Sequence, residues 1–264
     1  MKVTLITACY NSAATIRTCF DSVLSQQGVE VEYIVVDGGS KDDTVGVVKD
    51  FDRKVRESGL QNVTFKWISE PDKGMYDAIN KGIAMATGDI VGILNADDVL
   101  ASNDTLAHIA AAFTPDVDAL YADIRFVRTG DSLETLRVAR TVRYCSAAKW
   151  KPWMFRFAAM VPHPSFYVRR ECFSRLGGYS LDYRICADFE LELRYLYLAK
   201  LKSVYLPECV VVMRMGGAST SGWKSNKKIN EEDLKALRTH GIWSCLPLIY
   251  LKYLFKIWGF VFRH

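Results

Sequence analysis

Residues 88–98 read GDIVGILNADD, a Gly-Asp pair and an apolar run from Ile90 to Leu94, closed by Asn95, Ala96, Asp97 and Asp98. A buried strand that runs out into carboxylates places hard oxygen ligands at its carboxyl end. Open α/β sheets bind ligands at that end, and Mg²⁺ or Mn²⁺ prefers carboxylate oxygen. The same acids also read as a polar turn, with Asp97 or Asp98 capping a helix that starts near Thr105. Two further acids stand in matching places. Asp37 ends the apolar run VEYIVV and opens Gly38-Gly39-Ser40, and Asp72 follows VTFKWI within SEPDKG.

These acids need elements to hold them. Residues 3–8, 31–36, 63–68 and 90–94 are short, β-rich runs. Between them, apolar residues recur at helical spacing: Ile16, Cys19, Phe20, Val23 and Leu24, then a helix opened by Asp42-Asp43-Thr44, then Tyr76 to Ala86 with Gly88 as its stop. Strands alternating with helices across short loops predict a mainly parallel sheet with helices on both faces. The carboxyl ends of parallel strands share one edge, so Asp37, Asp72 and Asp97 should converge.

Beyond Asp98 the pattern predicts a helix near 103–113, a strand over 118–127, a hairpin at Gly130-Asp131 and weak alternation over 135–143. A strand over 163–168, helices at 170–176 and 186–200, and a late strand over 203–213 interrupted by Pro207 follow. Residues 214–222, RMGGASTSG, read as a loop. No internal repeat or low-complexity segment is present.

Half of the 264 residues are hydrophobic and a quarter charged, as in a globular chain with a real core. The net charge of +4 is unevenly spread. Residues 223–264 hold eight Lys/Arg and three Asp/Glu, which leaves 26 and 27 for the rest. The basic excess therefore sits in the tail. The seven cysteines are scattered and odd in number, with no CxxC pair, which fits reduced thiols in a cytosolic protein and disfavours Cys-bound metal. The first residues, MKVTLITACYN, lack the apolar core of a signal peptide and read as a strand that begins at once.

The tail segment 242–262, IWSCLPLIYLKYLFKIWGFVF, is nearly long enough to span a bilayer, but Pro247, Lys252 and Lys256 argue against a spanning helix. Lys252 and Lys256 share one helix face, with Trp243, Leu246, Ile249, Tyr250, Tyr253, Ile257 and Phe260 mostly on the other. A basic, aromatic-rich amphipathic helix suits a membrane interface and anionic lipid. A helix packed on the domain or in a dimer interface is the alternative. The expected organisation is a catalytic domain over 1–222 and a membrane-associating tail over 223–264.

The motifs resemble the GT-A fold glycosyltransferases of family 2, the bacterial polysaccharide-building kind. The matching stretches are TLITACYNSAATIRTCFDSVLSQ, VVDGGSKDDT, SEPDKGMYDAINKGIAMATGDIVGILNADD, HPSFYVRRECFSRLGGY and YRICADFELELR, over about residues 1–220. The resemblance implies a Rossmann-like α/β fold. It implies inverting transfer of a sugar from a nucleotide-sugar, a UDP-sugar above all, to a saccharide acceptor carried on polyprenyl diphosphate. Such an enzyme builds surface polysaccharide or lipopolysaccharide at the cytoplasmic face of the cell membrane. Asp97 matches the last acid of the family's DxD motif and is the expected ligand of Mn²⁺ or Mg²⁺; Asn95 stands at the first position, where the family has Asp. Three roles are open to Asp98: ligating the metal, hydrogen-bonding the acceptor, or orienting Asp97. Asp37 matches the first acid of the DDGS turn, with Gly38 in place of the second, and should meet the base or ribose. Thr7, Ala8 and Tyr10 should pack on the base, though Tyr10 alone reads equally as a core aromatic. Asp72 and Lys73 should line the base and phosphates, and Arg214 with Gly216-Gly217-Ala218-Ser219 should flap over the diphosphate. His163 is an expected acceptor contact. Asp188, within Ala187-Asp188-Phe189-Glu190, matches the acid that takes the acceptor's proton, with Glu190 and Glu192 as weaker candidates.

Competing readings have specific failings. A sugar nucleotidyltransferase would want a Gly-rich, basic loop after the first strand, and residues 7–14 lack one. A non-catalytic subunit of an assembly complex would not need Asp97 and Asp188. No GxGxxG follows the first strand, which disfavours a dinucleotide oxidoreductase. Nucleic-acid binding is disfavoured because the basic excess lies among lipid-like aromatics.

Overall fold

The computed structural model of the chain describes residues 1–128, 130–215 and 222–253. Its first part is the expected alternation: β1 (Lys2–Cys9), α1 (Ile16–Leu24), β2 (Glu30–Asp37), α2 (Thr44–Ser58), β3 (Val63–Ser69), α3 (Met75–Met85) and β4 (Ile90–Ile93). The strands lie in the order β3-β2-β1-β4 and all pair in parallel. Buried on both faces, β1 and β2 read as continuous apolar runs rather than as alternation. α1 and α2 pack on one face, where the Phe20 and Phe51 rings stack at 4.1 Å, and α3 packs on the other through Tyr76, Ala78 and Ile79.

The chain then runs through β5 (Val99–Leu100), α4 (Thr105–Ala112), β6 (Ala119–Val127), α5 (Leu133–Val138), β7 (Arg143–Cys145), β8 (Tyr167–Arg169), α6 (Arg170–Leu176), α7 (Ala187–Glu192) and β9 (Ser203–Arg214). These strands extend the sheet from β4 as β8-β6-β9-β5, with β7 beside β6. Here β6 and β9 are parallel, whereas β4–β8, β6–β8, β6–β7 and β5–β9 are antiparallel. The sheet is therefore parallel in its first half and mixed in its second. Gly92 makes the junction possible. A Cβ there would lie 2.1 Å from the Tyr167 ring, so only glycine lets that ring settle against β4.

Local sequence explains the departures from expectation. Residues 133–138 form a helix, not an alternating strand, because Ser132 and Thr135 cap each other's backbone N–H groups. HPS turns as a 3-10 segment, so the strand there is confined to Tyr167–Arg169. The helix expected over 186–200 changes after Glu192 into a wider π turn, Leu193–Leu198. In β9, Leu206 pairs with Ala122 and Cys209 with Asp123, so Pro207 sits in a bulge where its missing N–H costs no ladder bond.

The chain continues through α8 (Gly222–Thr239) and α9 (Leu246–Tyr250). Leu234, Ala236, Leu237, Ile242 and Ile249 join the core cluster that contains α3 and α7, so residues 222–253 pack on the catalytic body. Among the described residues, no helix is long and apolar enough to cross a membrane. Residues 254–262 of the expected amphipathic segment lie outside the described residues.

Glu32 clamps the parallel half. Its buried carboxylate accepts from Thr4 Oγ1, Lys66 Nζ, Thr87 N and Thr87 Oγ1, each at 2.7 Å, and so ties β1, β3 and the turn before β4 to β2. Burial alone would raise its pKa, but the Lys66 ammonium and the Thr4 and Thr87 donors outweigh burial and hold it at about 2. A depressed carboxylate stabilises the fold above its ordinary value of 4.5, and that contribution is lost as pH falls through about 2. Glu32→Ala, which strands these donors, should cost about 1–3 kcal/mol in urea unfolding at neutral pH. The gap from wild type should shrink on acidification, and equal midpoints at neutral pH would show that the clamp contributes nothing.

Candidate active site

The parallel register sets Cys9, Asp37 and Ser69 side by side at the carboxyl ends of β1, β2 and β3. Asp37 is fully buried, and its carboxylate is spent on the protein. It accepts from Gly39 N at 3.2 Å, Ser40 N at 3.0 Å, Ser69 Oγ at 2.7 Å, Ser40 Oγ, and the Cys9 thiol at 3.8 Å. Asp37 thereby knots three loops together. Burial and then the Asp37 charge push the Cys9 thiol far up, so it stays a neutral donor.

The knot presents other groups outward. Asn11 N donates to Ser40 Oγ and Asn11 Oδ1 accepts from Lys41 N, which fixes the loop after β1. Tyr10 beside it is 54% exposed and is not a core aromatic. Thr7 points the other way. Its hydroxyl donates to Leu94 O at 2.7 Å and accepts from the Tyr33 hydroxyl at 3.0 Å inside the core, so it cannot pack on a base. Ala8, one residue on, faces the opposite side of the sheet and is half-buried. Asp72 accepts from Gly74 N at 2.7 Å, and its Oδ2 lies 2.3 Å from where a Cβ on residue 38 would stand. Gly38 thus lets the third acidic loop close on the second. The Lys73 side chain is exposed beside it.

At the end of β4, Asn95 Nδ2 donates to Asp98 Oδ2 at 2.9 Å. Asp98 is fully buried, with Oδ1 unpartnered among the described residues. Burial and then the Asp97 charge push it well above the ordinary carboxylate range. From there Asp98 organises the turn through Asn95. Arg214, the last residue of β9, donates to Asp97 O at 2.8 Å, Thr18 Oγ1 at 2.9 Å and Gly130 O at 3.2 Å. Its guanidinium pins the Asp97 turn rather than flapping over a diphosphate, and Gly216 to Ser219 lie outside the described residues. The half-buried Asp97 keeps its carboxylate unpaired among the described side chains. No group of three or more His, Cys, Asp or Glu that could hold a metal occurs among the described residues.

Asp188 sits in the first turn of α7. Tyr76, at the start of α3 just beyond the Asp72 loop, shares its one hydroxyl proton between Ile185 O at 2.6 Å and Asp188 Oδ1 at 3.2 Å, and Phe189 N also donates to Asp188 Oδ1 at 2.8 Å. Burial and then the Asp188 charge push the Tyr76 hydroxyl far up, which keeps it a donor. Glu190 is structural: it pairs with Arg194 at 2.9 Å and with His240, just past α8, at 2.8 Å. His163 is 13% exposed, with Nδ1 3.4 Å from Glu192 and Nε2 3.1 Å from the Tyr179 hydroxyl. Both ring nitrogens are thus engaged within the protein.

The sequence motifs did not single out Tyr76, Tyr179 or Glu232. Tyr76 was visible as an apolar helix position, but its hydroxyl contact spans 112 residues. Glu232 of α8 accepts from Ile185 N at 2.8 Å and Cys186 N at 3.1 Å, capping the approach to α7. Lys252, expected on the basic face opposite the aromatic residues, is buried in an ion pair with Asp233 at 2.5 Å. Lys256 lies outside the described residues. Trp243, by contrast, is 72% exposed, and Tyr250 and Leu251 are also exposed.

This arrangement, with acids gathered at a parallel sheet edge and one more delivered by a later helix, is that of a GT-A nucleotide-sugar fold. The family model for glycosyl transferase family 2 matches residues 4–177, and the chain belongs to that family. A "PGL/p-HBAD biosynthesis glycosyltransferase" of Mycobacterium bovis is 28% identical over 229 residues, 86% of this chain and 80% of that protein. An uncharacterized glycosyltransferase of Mycobacterium tuberculosis is 32% identical over 197 residues, 73% of this chain and 68% of that protein. Among solved structures, S. aureus TarS 1-349 in complex with UDP-GlcNAc aligns with a TM-score of 0.64 at 17% identity, over 90% of this chain and 66% of that one. Against the longer TarS chain the coverage is 40% of its length. The mannosyltransferase PcManGT from Pyrobaculum calidifontis, in complex with GDP-Man and Mn²⁺, aligns with a TM-score of 0.59 at 19% identity, over 99% of this chain and 81% of that one.

The cap from α8 makes a prediction. Glu232→Ala should leave Ile185 N and Cys186 N without their acceptor and lower turnover severalfold, with a stability loss of about 1–3 kcal/mol. Truncation after Gly222 should give an unstable, inactive chain, because the five apolar residues of the tail named above would leave the core. Normal turnover by the truncated protein in a soluble assay would refute the structural role of α8.

Proposed function

We propose that this chain is an inverting glycosyltransferase that moves a sugar from a UDP-sugar to a hydroxyl of a saccharide on a lipid carrier, in surface polysaccharide or glycolipid assembly. The observation that carries the reading is the Asp188 carboxylate, held by Tyr76 on the helix that follows the Asp72 loop. In the proposed reaction Asp188 takes the acceptor hydroxyl's proton as that oxygen attacks the anomeric carbon. The bond from that carbon to the phosphate oxygen breaks, and the nucleoside diphosphate leaves with the electron pair. A single displacement inverts the anomeric centre. Tyr10 and Ala8 would pack on the base, while Asp72, Lys73 and Asn95 would line the ribose and phosphates.

Asp97 fits one edge of a divalent ion. Mg²⁺ and Mn²⁺ sites of this type use one or two carboxylates, with substrate phosphates and water as the other ligands. The open Asp97 carboxylate suits such a shared shell. The ion, when bound, would neutralise charge growing on the diphosphate. UDP and UDP-GlcNAc in TarS support a uridine donor, and Mn²⁺ in PcManGT supports the metal. The mycobacterial relatives support a glycolipid acceptor. The exposed Trp243, Tyr250 and Leu251, with the basic excess of residues 223–264, support peripheral binding at the inner face of the cell membrane.

Two substitutions test the roles separately. Asp97→Ala should abolish metal-dependent UDP binding in calorimetry while the protein stays folded; full activity of this variant in EDTA would sink the metal site. Asp188→Asn keeps size and removes basicity, so kcat should fall roughly 10²–10⁴-fold with UDP-sugar affinity unchanged. Near wild-type turnover would assign the proton to another group.

A further inference from the structure

Behind Asp188 runs a buried polar chain that the proposed displacement does not use. Glu192 lies one turn along α7, with its side chain fully buried. Its Oε1 faces His163 Nδ1 at 3.4 Å, and its Oε2 has no hydrogen-bond partner among the described residues. His163 Nε2 meets the Tyr179 hydroxyl at 3.1 Å. The Tyr179 ring stacks on Tyr76, with centroids 5.5 Å apart and planes 17° from parallel. Tyr76 in turn donates to Asp188. Four separate segments thus converge on the base: α3, the 3-10 segment at His163–Ser165, the loop after α6, and α7 itself.

We propose that His163 and Glu192 hold one proton between them and act as a positioning pair for Asp188, through the Tyr179–Tyr76 stack. The inference rests on Asp188 as the base. The physical reason is charge. Asp188 and Glu192 are i, i+4 on one helix face, where two carboxylates repel. An unpartnered oxygen on a buried, charged carboxylate is also costly. One proton on the pair makes it neutral overall and so relieves the repulsion; on the carboxyl it also removes the charge from the unpartnered oxygen. The pair then places no net charge beside Asp188.

The surroundings favour that proton. Burial raises the Glu192 carboxyl to about 8, with the Asp188 charge adding to the rise, while the His163 hydrogen bond and charge and the Val161 N–H oppose it. Burial lowers His163, but the Glu192 hydrogen bond and the charges of Asp188 and Glu192 outweigh it and raise the imidazole overall. Tyr179, facing Asp188, Glu192, Tyr195 and Arg194, is driven far up by burial and stays protonated. A raised histidine stabilises the fold below its ordinary value of 6.5, and the contribution is lost as pH rises through the raised value. The pair therefore loses its proton on the alkaline side, and the repulsion against Asp188 appears there. Two groups coupled this closely titrate as a unit.

The test uses the full chain with isotope-labelled histidine, following His163 by NMR and kcat by assay from about pH 6 to about pH 10. In the wild type His163 should titrate above its ordinary range, with a break in kcat at the same pH. Glu192→Gln should return the His163 titration to the ordinary range or below it and remove the break. His163→Ala, which strands a buried carboxyl, should lower kcat about tenfold with acceptor KM nearly unchanged, and adding Glu192→Gln should recover most of the loss. Identical His163 titrations and superposable pH profiles in wild type and Glu192→Gln would overturn the inference, even if His163→Ala fails to fold. A raised acceptor KM with normal kcat in His163→Ala would overturn it too, by making His163 an acceptor ligand. Full turnover in Asp188→Asn would instead sink the base assignment, and the NMR titration would still decide the shared proton.

Discussion

The hydroxyl of Tyr76 joins two parts of the chain that the backbone keeps far apart. It sits at the start of α3, two residues beyond Gly74, whose N–H holds Asp72. It reaches Ile185 O and Asp188 Oδ1 across more than a hundred residues of sequence. The helix that closes the third acidic loop is thus the helix that holds Asp188. A shift of α3 would move the Asp72 loop and Asp188 together. The contact has one direction, because burial and the Asp188 charge keep the phenol protonated. Tyr76 donates, Asp188 accepts, and one carboxylate oxygen is left free of that bond.

Around that contact the carboxylates divide into two populations. Glu32, Asp37, Asp98, Glu190 and Glu192 are buried, whereas Asp72, Asp97 and Asp188 are only half-buried. A buried charge must find partners or a proton. Glu32 and Asp37 found hydroxyls and backbone N–H groups, Glu190 found Arg194 and His240, and Asp98 and Glu192 are pushed up toward the neutral acid. This framework fixes the open carboxylates before any substrate arrives. Groups held in place need no reorganisation as charge develops on a leaving diphosphate.

The parallel half of the fold was legible because its signals are local. Apolar runs end in acids, helical spacing lies between them, and short loops force parallel pairing. The acids at the strand ends were legible as types, but not as orientations. Thr7 and Ala8 are neighbours that a strand sends to opposite faces, and only the parity of β1 decides which one can meet a ligand. Asp37 and Asp98 were found as types, but nothing local says that Ser69 will close on Asp37 or that Arg214 will close on the Asp97 turn. The short strands β5, β7 and β8 depend on long-range pairing, which periodicity does not report. In the tail, helical spacing identified an amphipathic face, yet spacing cannot tell a lipid surface from a protein core, and Lys252 met Asp233 instead of solvent.

The tail finding changes how an acceptor-side helix is held. α7 is only six residues long, too short to be stable by its own hydrogen bonds. Its entry is capped by Glu232 of α8, and its middle is tied by Glu190 to His240, just beyond α8. α8 is in turn fixed to the segment beyond α9 by Asp233 and Lys252. Asp188 therefore belongs to the same packed unit as the exposed Trp243 and Tyr250.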